Sequence, residues 1–223
     1  MTKPTDAPSE RARLKRLHER GRYDKETVCA ILDATPLCHV AYTVDGLPFV
    51  TPTLQWREDD RVYWHGSTAS RMLRAAEGNE VCLAVTLLDG FVLARSALHH
   101  SVNFRSVMVF GRAERVPDAD KELRLHNFVD GLYPGRWDSL RPIYDKELKA
   151  TTILSLPINE ASAKLRSGQP VDDEEDYALP VWAGVVPLEL AAQTPEPDPR
   201  NLPDVAFPAH ARSIKLGQNG DQP

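Results

Sequence analysis

Two very short connections constrain this chain more than any other feature. Asp45-Gly46 separates Leu37–Val44 from residues 49–56, and Glu58-Asp59-Asp60 separates those from residues 61–65. All three runs are rich in strand formers, and the links between them are turn-forming pairs and triplets. A parallel crossover needs a dozen residues or more, so the three runs must pair antiparallel as a meander. The chain has 223 residues, 42% of them apolar, which is enough to close one real core around such a sheet.

The rest of the middle reads as mixed β and α. Asp24 predicts an N-cap for a helix running to Ala34, with Val28, Ile31 and Leu32 on one face and Pro36 as the stop. A second helix is expected over residues 69–77, burying Met72, Leu73 and Ala76, and ended by Gly78-Asn79. Strands are expected over 80–88 and 91–96 about an Asp89-Gly90 turn, and again over 106–116. Pro117-Asp118 opens a longer helix whose stripe is Leu125, Phe128, Val129 and Leu132. Late strands follow over 151–156, 161–165 and 183–190. Some six or seven strands with few helices predict a mainly β (α+β) fold, a small barrel with peripheral helices.

Both ends differ from this body. Residues 1–20 form a polar arm crowded with Arg11, Arg13, Lys15, Arg16 and Arg20, read as solvated, the alternative being an arm laid over a neighbouring surface or an anionic ligand. Residues 21–191 make the domain. Residues 192–223 carry Pro195, Pro197, Pro199, Pro203, Pro208 and Pro223, a density that excludes a regular helix or ladder and predicts an extended tail.

Charge and cysteine usage exclude several classes. With 27 basic against 32 acidic residues the net charge is −5, which argues against a nucleic-acid-binding protein. Val81 to Leu88 is the longest uncharged apolar stretch, far short of the roughly 20 residues of a membrane span. The opening MTKPTDAPSERARLKR has no apolar segment of a secretory signal. Cys29, Cys38 and Cys82 form no Cys-x-x-Cys pair and are read as reduced, buried thiols of a cytoplasmic protein. P-loop, Rossmann, nucleophile-elbow and zinc-protease signatures are missing.

Two segments carry chemistry. In Tyr63-Trp64-His65-Gly66-Ser67-Thr68-Ala69-Ser70-Arg71 a strand runs through hydroxyl-rich residues into a helix. A helix start, hydroxyl donors and the Arg71 fork suit a phosphate. The alternative is that Ser67 or Thr68 merely caps the helix and Arg71 is solvated. The second segment, residues 94–107, is polar and reads as a loop lining a ligand pocket with Asn103, Arg105 and Ser106. Its adjacent His99 and His100 are read as pointing to opposite faces, which disfavours one shared metal ion. His39 reads as a core or interface histidine. Asp172-Asp173-Glu174-Glu175-Asp176 lacks the spacing and glycine of a calcium loop and reads as solvated; pairing with the basic arm is the alternative.

From about Arg16 to Leu188 the sequence resembles the flavin mononucleotide-binding split-barrel proteins related to pyridoxamine 5′-phosphate oxidase, in the branch with nitroimidazole-resistance-like proteins. The stretches that carry the resemblance are ILDATPLCHVAY, PFVTPTLQW, VYWHGSTASRML, VLARSALHHSVNFRSVMVFGRAERV, PGRWDSLRP and SAKLRSGQPVDDEEDYALPVWAGVVPL. The resemblance implies a six-stranded antiparallel split barrel forming a homodimer, with FMN in clefts between the subunits. It places Thr51, Pro52 and Thr53 beside the flavin ring, and His65, Gly66, Ser67, Ser70 and Arg71 at the phosphate. His100, Asn103, Arg105 and Ser106 would form the other wall, and Trp182 would close the cleft. True pyridoxamine-phosphate oxidases carry an Arg and Lys cluster where TPTLQWRED offers only Arg57, so vitamin B6 phosphate is not the expected substrate.

The resulting expectation is an FMN-dependent oxidoreductase acting on a small organic substrate, with His65 and His100 as candidate proton donors. The alternative is a non-catalytic flavin- or haem-binding carrier, with His99 and His100 as the candidate haem ligands. No metal site is expected.

Overall fold

The computed structural model describes residues 6–209. Ten strands form one sheet: β1 (Gly21–Arg22), β2 (Leu37–Val44), β3 (Leu47–Glu58), β4 (Arg61–Ser67), β5 (Glu80–Leu93), β6 (Ser101–Arg112), β7 (Glu114–Arg115), β8 (Thr151–Pro157), β9 (Ala161–Arg166) and β10 (Gly184–Pro187). Every strand pairing is antiparallel, as the short connections require. The order is β1-β9-β6-β5-β2-β3-β4-β8-β7, with β10 added to β5. The helices are α1 (Lys25–Asp33), α2 (Arg71–Ala76), α3 (Lys121–Leu132) and α4 (Asp145–Ala150). No helix among the described residues is long and apolar enough to cross a membrane.

The two halves of the sheet curl around one core. Val40, Trp64, Leu83, Val109, Leu154 and Ala163 come from six different strands and are all fully enclosed. The closure is made by a single bent run. β6 pairs with β5 and β9, then passes through Ala113 into β7, which pairs with β8 at the far end of the order. Gly111 sits at this bend with φ +153°, a conformation that side chains resist, and a Cβ there would stand 3.2 Å from Leu156 Cδ1. α1 and α2 add their apolar faces to the same core. Asp24 caps α1, accepting from the Thr27 N–H at 2.8 Å, and Val28, Ile31 and Leu32 are buried as their spacing predicts.

The barrel is split along β3. Only its last residues, Gln55 to Glu58, pair with β4, whereas Leu47 to Leu54 pair with β2 alone. The Gln55 N–H bonds to Pro36 O at 2.7 Å, so the odd-numbered amides of β3 face β2 and the even-numbered ones face the opening. Pro48 and Pro52 therefore turn their ring nitrogens to the open edge, where they offer no donor. Val50 and Leu54 keep theirs.

Several boundaries differ from the sequence reading. Asp89-Gly90 is not a turn: β5 runs straight through it, with a register shift between Leu88 and Gly90. β10 lies against that bulge so closely that a Cβ on Gly90 would meet Val186 O at 2.9 Å. β6 begins at Ser101, not Ser106, because polar residues continue the ladder at the barrel end. Neither histidine of the pair lies on a strand: His99 ends a 3-10 turn and His100 follows it. The second helix starts at Arg71, capped by Ser70 rather than Ser67 or Thr68. The arm is not simply solvated. Arg11 bridges Glu80 at 2.8 Å and also pairs with Glu160, and Ala12 is buried. Asp172 likewise leaves the acidic run, its side chain fully enclosed beside Arg95 at 3.0 Å.

A second layer covers the β3–β4–β8 side. Trp56, Tyr63, Val116, Leu125 and Ile153 form a smaller core under α3 and α4, with Phe128, Trp137 and Leu148 at its margin. Of the predicted stripe, Leu125 and Phe128 face this core.

Candidate functional site

The split leaves one feature that ordinary packing does not explain. Arg71, the first residue of α2, carries its guanidinium 4.4 Å from the centroid of the Phe49 ring on β3, across the mouth of the opening. Among the described residues it has no ion pair and no hydrogen bond. Phe49 in turn stacks on Tyr42 of β2 at 5.8 Å, and the Tyr42 hydroxyl lies 3.1 Å from Thr51 Oγ1. A cation is thus held in place by aromatic stacking while its donor fork remains available for an anion.

Hydroxyls gather beside it. Ser67 Oγ accepts from the Ala69 N–H at 3.2 Å and Ser70 Oγ from the Leu73 N–H at 3.5 Å, so each hydroxyl hydrogen is left to point elsewhere. Arg74 donates to Thr68 O at 3.0 Å and fixes the same turn. α2 has only six residues, so its dipole adds little here, and Arg71 is the main attraction for a phosphate. Gly66 has a packing role, since a Cβ there would meet Leu73 Cδ1 at 3.2 Å.

The other expected residues are placed as follows. Thr51 and Thr53 are half-buried on β3, and Pro52 lies between them on the outer face. His65 points into the second layer, its ring 4.9 Å from Phe128 and 5.9 Å from Trp56. Its Nδ1 is buried without a partner, and burial pushes its pKa below the ordinary histidine value. A neutral imidazole is a poor phosphate anchor.

Asn103, Arg105 and Ser106 lie at the start of β6, with His100 just before it, and β5 and β2 separate β6 from β3. Arg105 pairs with Asp89 at 2.7 and 3.0 Å, on the wall of a cavity of about 300 Å³ that also includes Ala34, Leu37, Leu88 and Leu190. Asn103 is buried, accepting from Arg166 and donating to Gly168 O at 3.2 Å. Ser106 Oγ donates to Lys164 O at 3.3 Å. Within one chain this group and the Arg71 group do not meet. Trp182 is 66% exposed and folds its ring over Gly184, where a Cβ would come within 2.9 Å of it.

Sequence reasoning missed Phe49, Tyr42 and Gln55. Gln55 is buried where β3 parts from β4 and donates to both Leu32 O and Thr35 O at 2.7 Å. The signal available for Phe49 was its alternation with Thr51 and Thr53. Arg57 is taken up by Asp33 at 2.6 Å, so it supplies no second phosphate clamp. His99, Asp172 and Asp176 approach within 4.8 Å of one another, but Asp172 already accepts from the Arg95 backbone and side chain. All three cysteines are free; burial pushes Cys38 up to about 12 and raises Cys29 and Cys82 as well.

The outer face of β3-β2-β5-β6 is apolar. Leu54 opposes Leu37, and Val50, Ala41, Cys82 and Phe110 form a row, as do Pro52, His39, Ala84 and Met108. Val50 is 63% exposed, Leu37 50% and Met108 44%. His39 stands in the midst of this face, so it is not a core residue.

The fold is that of a known class. The family model described as pyridoxamine 5′-phosphate oxidase matches residues 24–165, and the chain belongs to that family. Among solved structures it is similar to the flavocytochrome Anf3 from Azotobacter vinelandii, with 57% identity, a TM-score of 0.93, and 96% of this chain and 100% of that one covered. It is also similar to the FAD- and haem-binding protein from Mycobacterium smegmatis, at 37% identity and TM-score 0.85, covering 88% and 98% of the two chains. A candidate 5-nitroimidazole antibiotic resistance protein from Bacteroides thetaiotaomicron shares the fold at 21% identity and TM-score 0.53, over 65% of this chain and 85% of that one. No curated protein matches the chain.

Proposed function

We propose that this chain is a flavin-binding redox protein, with the flavin phosphate on Arg71 and the ring along the open edge of β3. The observation that carries this is the Arg71 guanidinium, stacked on Phe49 and lacking any counter-ion among the described residues. The residues fit the group. Arg71 offers a charged fork, Ser67 and Ser70 offer hydroxyl hydrogens, and the Val50 and Leu54 amides face the open edge as further donors. A bound flavin supplies hydride or single-electron transfer. The chain's part is to grip the phosphate, orient the ring and flank it with Thr51 and Thr53 on the inner face of β3 and Pro52 on the outer. His65, neutral and half-buried, acts as a wall rather than a charge.

The working unit is a homodimer with the cofactor at the seam. Supporting this, the exposed apolar face carries Leu37, Val50, Leu54 and Met108 side by side, the kind of patch that marks a protein–protein contact. A second copy across that face would also supply Asn103, Arg105 and Ser106 of β6, which one chain holds apart from Arg71. Two free thiols half-buried and one buried suit a reducing cytoplasm.

The family resemblance favours FMN, whereas the Mycobacterium smegmatis relative binds FAD; both share the ring and the inner phosphate. Likeness to a flavocytochrome over nearly the whole chain favours a second group, a haem, beside the flavin. The oxidoreductase reading then has electrons passing between the flavin and a small organic substrate or the haem. The test is the visible spectrum of freshly purified full-length protein, followed by the mass of what denaturation releases. Flavin bands and a released flavin support the reading, and the mass separates FMN from FAD. A colourless protein that takes up neither flavin, and whose melting point neither shifts, sinks it.

A further inference from the structure

We propose that His100 presents its Nε2 as an axial ligand to a haem iron. The inference builds on the haem half of the function proposed above. His100 Nδ1 lies 2.9 Å from the backbone carbonyl oxygen of Ser96. A carbonyl can only accept, so in the neutral imidazole Nδ1 must carry the proton. That leaves Nε2 with its lone pair free, on an exposed side chain. Iron-bound histidines are held in this way, with the distal nitrogen tied to an acceptor so that the ring is oriented and the ligating nitrogen is bare. The Fe–Nε2 bond forms by donation of that lone pair, and no proton need leave.

The other described histidines do not share this arrangement. His99 meets Ser96 Oγ at 2.8 Å, and a hydroxyl can donate or accept, so its tautomer is not fixed. His65 packs edge-on against Trp56 and Phe128, and its buried Nδ1 has no partner. His126 packs on Trp137 at 5.2 Å and lies 3.9 Å from Asp130. His39 lies on the face assigned to the second copy. His18 is a solvated residue beside Glu19.

The surroundings of His100 suit a large flat apolar group. Leu98, two residues before it, is 95% exposed. Ser101 pairs with Val92 and Val102 with Phe91, and Phe91 pairs onward with Val186 of β10, so exposed Phe91 and Val186 extend one apolar stripe from the histidine. Trp182, folded over Gly184 at the start of β10, is exposed at the same end. Leu98, Phe91, Val186 and Trp182 thus face water at the end of the sheet where His100 stands, and packing within the chain does not account for that exposure.

The experiment loads full-length wild type and His100→Ala with hemin, and reads the Soret band, the released haem and the flavin bands. Wild type is expected to show a Soret band. His100→Ala should retain about tenfold less haem or worse, with its flavin bands and melting point unchanged, and added imidazole should restore the band. A His100→Ala Soret band of wild-type position and intensity overturns the assignment, as does loss on His99→Ala in its place. Wild type that takes up no hemin at all overturns the haem reading itself, and the flavin bands report independently on the other half.

Discussion

Arg71 is the residue on which the most chemistry converges, and its replacement gives the most direct test. Removing a charge-assisted contact to phosphate costs about 1.5–3 kcal/mol. Arg71→Ala should weaken flavin binding by that amount in a fluorescence titration while leaving the melting point of the flavin-free protein nearly unchanged, since the side chain is exposed. Phe49→Leu should weaken binding less, because it loosens the fork without removing it. His65 provides a second test. Burial lowers its pKa from the ordinary 6.5, so the unfolded chain binds the proton more readily. Stability is therefore unaffected above 6.5 and falls as pH drops from 6.5 toward the lower folded value. Chemical denaturation across pH 5–7.5 should show that slope, and His65→Phe should flatten it. Residues of this kind were legible in part. Arg71 and Ser70 stood out because chemistry selects their types, whereas Phe49 looks like any strand residue until the opposite helix start is known. Lys121 was invisible as a buried residue: its ammonium donates to Leu148 O at 3.1 Å and meets Asp118 at 2.9 Å, an arrangement that only the α3–α4 packing creates.

Elements with strong local signals came out as read. α1 has a capping acid, a clean stripe and a terminating proline, and its observed limits lie within a residue of those predicted. Asp24→Ala should cost about 1 kcal/mol in a denaturant titration, the usual loss for an N-cap. Where a signal had two structural meanings, the sequence could not choose between them. Asp-Gly suits both a tight turn and a bulge, and at Asp89-Gly90 the bulge wins because β10 pairs across it. The beginning of β6 was hidden for a related reason: Asn103 and Arg105 are polar, yet Gly168, Arg166 and Asp89 satisfy them at the barrel end. Gly111 tests the closure. Its positive φ and the nearby Leu156 leave no place for a methyl group, so Gly111→Ala should destabilise by ~1 kcal/mol or more, read as a lower melting temperature.

For the whole molecule the decisive property is the apolar face made by β3, β2, β5 and β6. A carboxylate forced into a closed seam lacks a partner and is costly to bury. For the homodimer proposed above, Val50→Asp should therefore shift sedimentation from a two-chain to a one-chain species, weakening association on the order of tenfold or more. Flavin retention should fall with it, although Val50 lends only its backbone to the proposed site. None of this was open to periodicity arguments, because a strand with one face on a core and one on a sister subunit shows the same pattern as a strand buried on both sides. The two prolines of β3 have a further consequence. A strand with one bare margin is the usual starting point for runaway stacking of chain upon chain, and among the described residues that margin of β3 has no strand beside Leu47 to Leu54. Pro48 and Pro52 remove alternate donors along it, so a passing peptide finds too few hooks to zip on, while a small planar guest that needs only one or two amides still finds them at Val50 and Leu54.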